Sequence, residues 1–200
     1  MIGPSKVRDT CTDPFLRQTL TFMQGEIDVL EGVNDYQTNS ITLHTTKGCT
    51  IENTTQSSAD STAADMSPFA GLMSTSNCDV KAEGQPKNQG CSIKAPSSIS
   101  EAHAGTGDSS EKIELPSYGA AFNKVGGGIY ATEWTSTFIS VWFIPRDSAT
   151  YKEYFTGNAT DTPEPAKWGT PLARFEGEGC DFVERFKNLK MIFNIAFCGE

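Results

Sequence analysis

Along most of this chain apolar and polar residues alternate in short runs, with the two-residue period of strands rather than the 3.6 of helices. Residues 26–30 form the first such run and 40–46 the second. Residues 128–135 and 138–144 follow each other across a short polar turn, which predicts a hairpin. In Phe138-Ile139-Ser140-Val141-Trp142-Phe143-Ile144 both faces are largely apolar, so this strand is expected to lie between layers, with Trp142 in the core. Residues 189–197 predict a last core strand. Residues 53–65, 81–90 and 96–110 are rich in Ser, Thr, Gly, Pro and Asn. Such stretches build no core and read as surface loops. Residues 181–188 predict one short helix with Phe182, Val183 and Phe186 on one face. Short strands joined by irregular loops predict an all-β sandwich.

The first run also carries chemistry. Gly25-Glu26-Ile27-Asp28-Val29-Leu30-Glu31-Gly32 holds three carboxylates at i, i+2 and i+5. On a helix, at about 100° per residue, Glu31 would lie about 140° around from Glu26. On a flat strand Glu26 and Asp28 share a face and Glu31 points to the other. One extra residue, a β-bulge near Val29 and Leu30, returns Glu31 to the first face. Three like charges on one face repel each other, which catalysis by paired carboxylates can use. Retaining glycosidases hold two carboxyl groups about 5–5.5 Å apart. A bulged strand leaves the Cα atoms of Glu26 and Glu31 about 13 Å apart, within reach of two long side chains leaning together. The competing reading is a solvated acidic edge.

Two hundred residues fit one domain with a sizeable core. The formal charge of −9, with no basic run, argues against nucleic acid or an anionic membrane as partner and suits a neutral polymer. No apolar stretch approaches the roughly 20 residues of a membrane helix, and residues 1–24 hold no apolar core of a signal peptide. The six cysteines are Cys11, Cys49, Cys78, Cys91, Cys180 and Cys198. They form no C-x-x-C pair, so disulfides are expected rather than a metal site, and no cofactor is called for. Short local loops favour Cys78 with Cys91 and Cys180 with Cys198. The Asn53 and Asn158 sequons agree with secretion.

Gly-Glu-Ile-Asp-Val-Leu-Glu-Gly-Val-Asn resembles the acidic motif of glycoside hydrolase family 16, in its bulged Glu-x-Asp-x-x-Glu form and especially in the fungal endo-β-1,3(4)-glucanase (laminarinase) branch. Other segments agree in order. They include Thr42-Leu43-His44-Thr45, Asn77-Cys78-Asp79, Gly126-Gly127-Gly128, Tyr130-Ala131-Thr132-Glu133-Trp134-Thr135, Val141-Trp142-Phe143 with Pro145-Arg146, and residues 193–199. The resemblance implies a concanavalin-like β-jelly roll with an open cleft. It implies Glu26 as nucleophile, Asp28 as auxiliary acid and Glu31 as acid/base, acting on a β-glucan with retention. Extracellular location and a monomeric enzyme are expected with it.

Four further residues are candidates for the substrate. His44 could bond sugar hydroxyls or Asp28, or be a satisfied structural histidine. Trp134 could stack on a pyranose or belong to the core. Glu133 has the opposite strand parity, so the two cannot both face the cleft on a regular strand. Asn34 follows the acidic run and could instead only shape a turn. Residues 1–24 hold no tryptophan and do not match the family's tryptophan-containing segment upstream of the motif. The expectation is therefore an atypical segment over 1–24, a partial catalytic domain over 25–200, and an incomplete jelly roll, truncated at its N-terminus, that folds poorly and has weak or no activity. A wall-remodelling transglycosylase and a non-catalytic glucan-binding sandwich are the alternatives to hydrolysis.

Overall fold

A computed structural model describes residues 25–33, 35–52, 68–100, 112–157 and 162–193. Among these residues nine strands form three antiparallel sheets: β1 Glu26–Glu31, β2 Ser40–His44, β3 Leu72–Thr75, β4 Cys91–Lys94, β5 Ser98–Ser100, β6 Lys112–Glu114, β7 Gly128–Trp134, β8 Phe138–Pro145 and β9 Ala173–Glu176. Their orders are β1-β2-β4-β3, β5-β6 and β7-β8-β9. Three short helices, α1 Gly119–Lys124, α2 Ala149–Tyr154 and α3 Phe182–Arg185, join them, with a 3-10 turn at Pro165–Lys167. None is long and apolar enough to cross a membrane.

Strand alternation divides the first sheet into two faces. Ile41 and Leu43 of β2, Ile93 of β4 and Met73 of β3 point inward. There they meet Ile139, Val141 and Phe143 of β8 and Ala173 and Phe175 of β9, so one core joins the two larger sheets. Thr42, His44 and Ser92 take the opposite face. β8 is buried on both sides, as its sequence predicts. Its outer side is covered by Trp168, which packs edge-on against Trp142 at 5.6 Å, while Trp142 Nε1 donates to the Gly169 carbonyl at 3.0 Å. The β7–β8 hairpin is registered from Gly128 opposite Pro145 to Trp134 opposite Ile139. Gly126 and Gly127 form the turn before it.

Several local expectations are corrected. Helix α3 is capped by Asp181, which accepts from the Glu184 N–H at 3.0 Å. It buries Phe182 and Phe186 but leaves Val183 exposed, because i and i+4 share a face and i+1 does not. Residues 189–193 form no strand, and Met191, Ile192 and Phe193 are exposed. An apolar run becomes a strand only where a neighbour pairs its backbone. Residues 98–100 of the loop-like stretch pair with β6. Cys78 does bond Cys91, but Cys180 bonds Cys49. Backbone bonds from Thr50 N–H to Gly179 (3.0 Å) and Glu52 N–H to Glu176 (3.2 Å) zip these distant segments together and bring the two sulfurs into reach. Residues 53–67, residues 194–197 of the expected last strand, Cys11, His103, Asn158 and Cys198 lie outside the described residues.

Candidate active site

The acidic run forms β1, and its pairing with β2 carries the predicted bulge. Glu26 lies opposite His44, Ile27 opposite Leu43, Asp28 opposite Thr42, and Glu31 opposite Ser40. Three steps along β1 from Asp28 to Glu31 match two steps along β2, so one residue is extra. Cross-strand partners share a face, and Ser40, Thr42 and His44 alternate onto the face away from the core. Glu26, Asp28 and Glu31 therefore stand together on that outer face, while Ile27 and Val29 pack against the core.

His44 Nε2 lies 3.1 Å from Asp28 Oδ2. The His44 Nδ1 atom is buried without a hydrogen-bond partner among the described residues. It abuts Gly90, whose φ is +65° and where a Cβ would fall 2.8 Å from Nδ1 and 2.4 Å from the Leu43 carbonyl. Glycine is thus required behind the imidazole. Gly25 plays a similar part at the start of β1, with φ +77° and the Arg185 carbonyl and Phe186 ring close against it. Beneath the acids runs a hydroxyl row. Thr42 Oγ1 donates to Glu31 Oε2 at 3.4 Å, Ser92 Oγ is 3.1 Å from Thr42 Oγ1, and Ser40 Oγ is 2.8 Å from Ser92 Oγ.

The charges are coupled. Burial and then the neighbouring Asp28 charge push the Glu26 carboxyl above the ordinary carboxylate range, His44 pulls it back, and Glu31 adds to the rise. Glu31 is more open to solvent as a residue, yet partial burial and then Asp28 raise it too, against His44 and the Thr42 hydroxyl. Burial alone would lower the His44 pKa. The Asp28 hydrogen bond and the charges of Asp28, Glu26 and Glu31 outweigh that and raise it. A protonated carboxylic acid beside an ionised one is thereby accessible, as acid/base and nucleophilic chemistry on one sugar requires.

Of the residues singled out from sequence, Glu26, Asp28, Glu31 and His44 come together. Asn34 lies outside the described residues. Glu133 and Trp134 belong to the other sheet. Trp134 is half-exposed at the end of β7, opposite Ile139. Glu133, of opposite parity, shares a separate pocket of about 510 Å³ with Trp142, Pro165, Gly169 and Arg174. Thr42 and Ser92 were missed, although Thr42 is legible two residues before His44 on an alternating strand. Asn39 was also missed. Its amide bridges the bulge, accepting from the Glu31 N–H at 2.8 Å and donating to the Val29 carbonyl at 2.9 Å.

The chain is similar to several known proteins. The profile described as "XgeA-like, catalytic GH16 domain" matches residues 18–107 and 97–200. An endo-1,3(4)-beta-glucanase of Arthroderma benhamiae is 37% identical over 177 residues, covering 88% of this chain and 32% of that protein. A probable endo-1,3(4)-beta-glucanase of Aspergillus fumigatus is 38% identical over 176 residues, covering 88% and 21%. The chain thus spans a third or less of the length of these two relatives. Among solved structures, Laminarinase 16A from Phanerochaete chrysosporium, holding 6-O-glucosyl-laminaritriose in donor and acceptor sites, superposes with TM-score 0.60 at 32% identity, covering 82% of this chain and 44% of that one. An elongating GH family 16 beta-1,3-glucosyltransferase superposes with TM-score 0.52 at 32% identity, covering 82% and 41%. The fold is accordingly that of the jelly-roll laminarinases. At such identity over most of its residues, the chain belongs to glycoside hydrolase family 16.

Proposed function

We propose that this chain carries the catalytic centre of a retaining endo-glycosidase that cleaves β-1,3 or mixed β-1,3/1,4 glucans. The observation that carries the reading is the β1 bulge, which sets Glu26, Asp28 and Glu31 on one face with His44 against Asp28. Glu26 attacks the anomeric carbon and forms a glycosyl ester. Glu31 gives its proton to the departing glycosidic oxygen, then takes one from water, whose oxygen displaces Glu26. Asp28 raises the proton affinity of both glutamates and holds His44 in place. All four side chains come from one chain, so a monomer suffices. Two disulfides among the described residues suit an extracellular setting. No cofactor enters the scheme.

Removing each glutamate tests the roles. Glu26→Ala is expected to lose hydrolysis of laminarin and to regain turnover with azide, giving a glycosyl azide of inverted configuration. On an activated dinitrophenyl glycoside, whose leaving group needs no proton, Glu31→Ala is expected to be rescued by azide with retention. Full hydrolysis by both variants would defeat the assignment. Transfer to a sugar acceptor is the second reading, favoured by the likeness to the elongating glucosyltransferase. Products longer than a defined oligosaccharide substrate would establish it.

A further inference from the structure

A bulge breaks the ladder, and the backbone groups it frees need other partners. At this bulge those groups are the Val29 carbonyl and the Glu31 N–H, and one side-chain amide serves both. Asn39 is fully buried. Its main chain is held equally firmly, its N–H donating to Ser117 Oγ at 3.0 Å and its carbonyl accepting from the Ala95 N–H at 2.9 Å. Ser117, also fully buried, accepts through its carbonyl from the Tyr130 hydroxyl. Tyr130 stands on β7, stacked on Phe143 with ring centroids 5.0 Å apart. A chain of hydrogen bonds thus runs from the β7-β8-β9 sheet through Ser117 and Asn39 into the backbone of Glu31.

We propose that Asn39, anchored by Ser117 and Tyr130, is a positioning residue that clamps the β1 bulge and so aims Glu31 at the leaving-group oxygen. The proposal rests on the role given to Glu31 above. Its logic is chemical. Only a side chain that accepts and donates at once satisfies both freed groups. Aspartate keeps the acceptor for Glu31 N–H but sets a carboxylate against the Val29 carbonyl. Alanine leaves both orphaned, which favours a flat strand. Because strand side chains alternate, a flat strand turns Glu31 to the opposite face.

The test exploits what Glu31 is for. A 2,4-dinitrophenyl laminaribioside expels its leaving group without a proton, whereas laminarin needs one. In Asn39→Asp, kcat/KM on laminarin should fall about 100-fold, the scale of an ångström misplacement, and in Asn39→Ala by at least as much. On the dinitrophenyl substrate it should stay within about threefold. Ser117→Ala and Tyr130→Phe should show smaller shifts of the same ratio. The ratio of the two kcat/KM values does not depend on the folded fraction, so loss of stability cannot imitate the result. An unchanged ratio in all four variants overturns the proposal. Glu31→Ala is the reference. If it shows no leaving-group selectivity, the role of Glu31 has failed, and the clamp's purpose with it.

Discussion

The two disulfides span very different lengths of chain, and that sets a measurable order. Cys49–Cys180 closes a separation of 131 residues and Cys78–Cys91 one of 13. Loop-closure entropy then gives about 5 kcal/mol for the first and about 3 kcal/mol for the second. All four cysteines are buried, so double replacement by alanine adds a similar packing loss to both pairs and leaves a difference of about 2 kcal/mol. The short loop lies inside the long one, which changes the long-loop figure by only about 0.1 kcal/mol. The long link has a second consequence. It adjoins α3, whose Phe186 packs against Gly25, the residue before Glu26. Urea unfolding followed by tryptophan fluorescence is the assay. The double variant Cys49→Ala/Cys180→Ala should unfold first, with activity lost before the fluorescence transition. An equal or larger loss for Cys78→Ala/Cys91→Ala would refute the reasoning.

Stability should also depend on pH in a definite direction. Glu26 has a raised folded pKa, so its contribution is complete below its ordinary 4.5 and is lost as pH rises through the folded value. Glu26→Gln should therefore melt above the wild type at pH 7 and level with it at pH 4. Glu26 is only partly buried, so solvent screening keeps the gain to about 1 kcal/mol or less, or at most about 2–4 °C; equal melting at pH 7 would contradict this. His44 follows the same sign, its contribution complete below 6.5 and lost as pH climbs through its raised value. Asp28→Asn should lower the His44 pKa, read by NMR titration with His103 as internal reference, and an unmoved His44 titration would remove Asp28 as the cause. Gly90→Ala should cut kcat by about tenfold or more, because its Cβ must displace the imidazole or the Leu43 carbonyl; a fully active variant would show that His44 has room to move.

What could be read from sequence was whatever depends on alternation. The bulge was legible because a flat strand with Ile27 and Val29 inward would turn Glu31 onto the core face, away from Glu26 and Asp28. The buried β8 was legible because both its faces are apolar. Asn39 was not, since its partners come from β1, from Ser117 and from the backbone of Ala95, far apart in the chain and adjacent only after folding. The Cys180 pairing failed for the same reason. A short loop is a fair guide for Cys78 and Cys91, but the zipped segments 50–52 and 176–179 decide the other bridge. Residues 189–193 look like a strand locally, yet pairing is a property of two segments. The sequence places Glu133 and Trp134 on opposite faces, and it does not reveal that their strand belongs to the other sheet.

Both glutamates are pushed upward by burial and by Asp28, so those causes alone do not distinguish a nucleophile from an acid. The pairing of β1 with β2 adds an asymmetry that favours the proposed roles. Glu26 lies directly across from His44, a position that places the Cβ atoms about 4.5–5.5 Å apart. Glu31 lies across from Ser40, which carries no charge. An imidazolium, whose formation the acids themselves promote, favours the ionised form of the carboxyl nearest to it. That proximity supports the proposed roles, Glu26 as the nucleophile and Glu31 as the acid/base. An exchange of roles would need a cation beside Glu31. The cation in that cross-strand row is Lys94, paired with Ser40 one strand further on, about 10 Å from β1. It also faces the Tyr36 ring, 6.0 Å from its centroid. At that distance across a solvent-exposed face its effect on Glu31 is largely screened. The register that aligns the three acids thus also sets His44 across from Glu26 and not from Glu31, an asymmetry that supports the double displacement proposed for them.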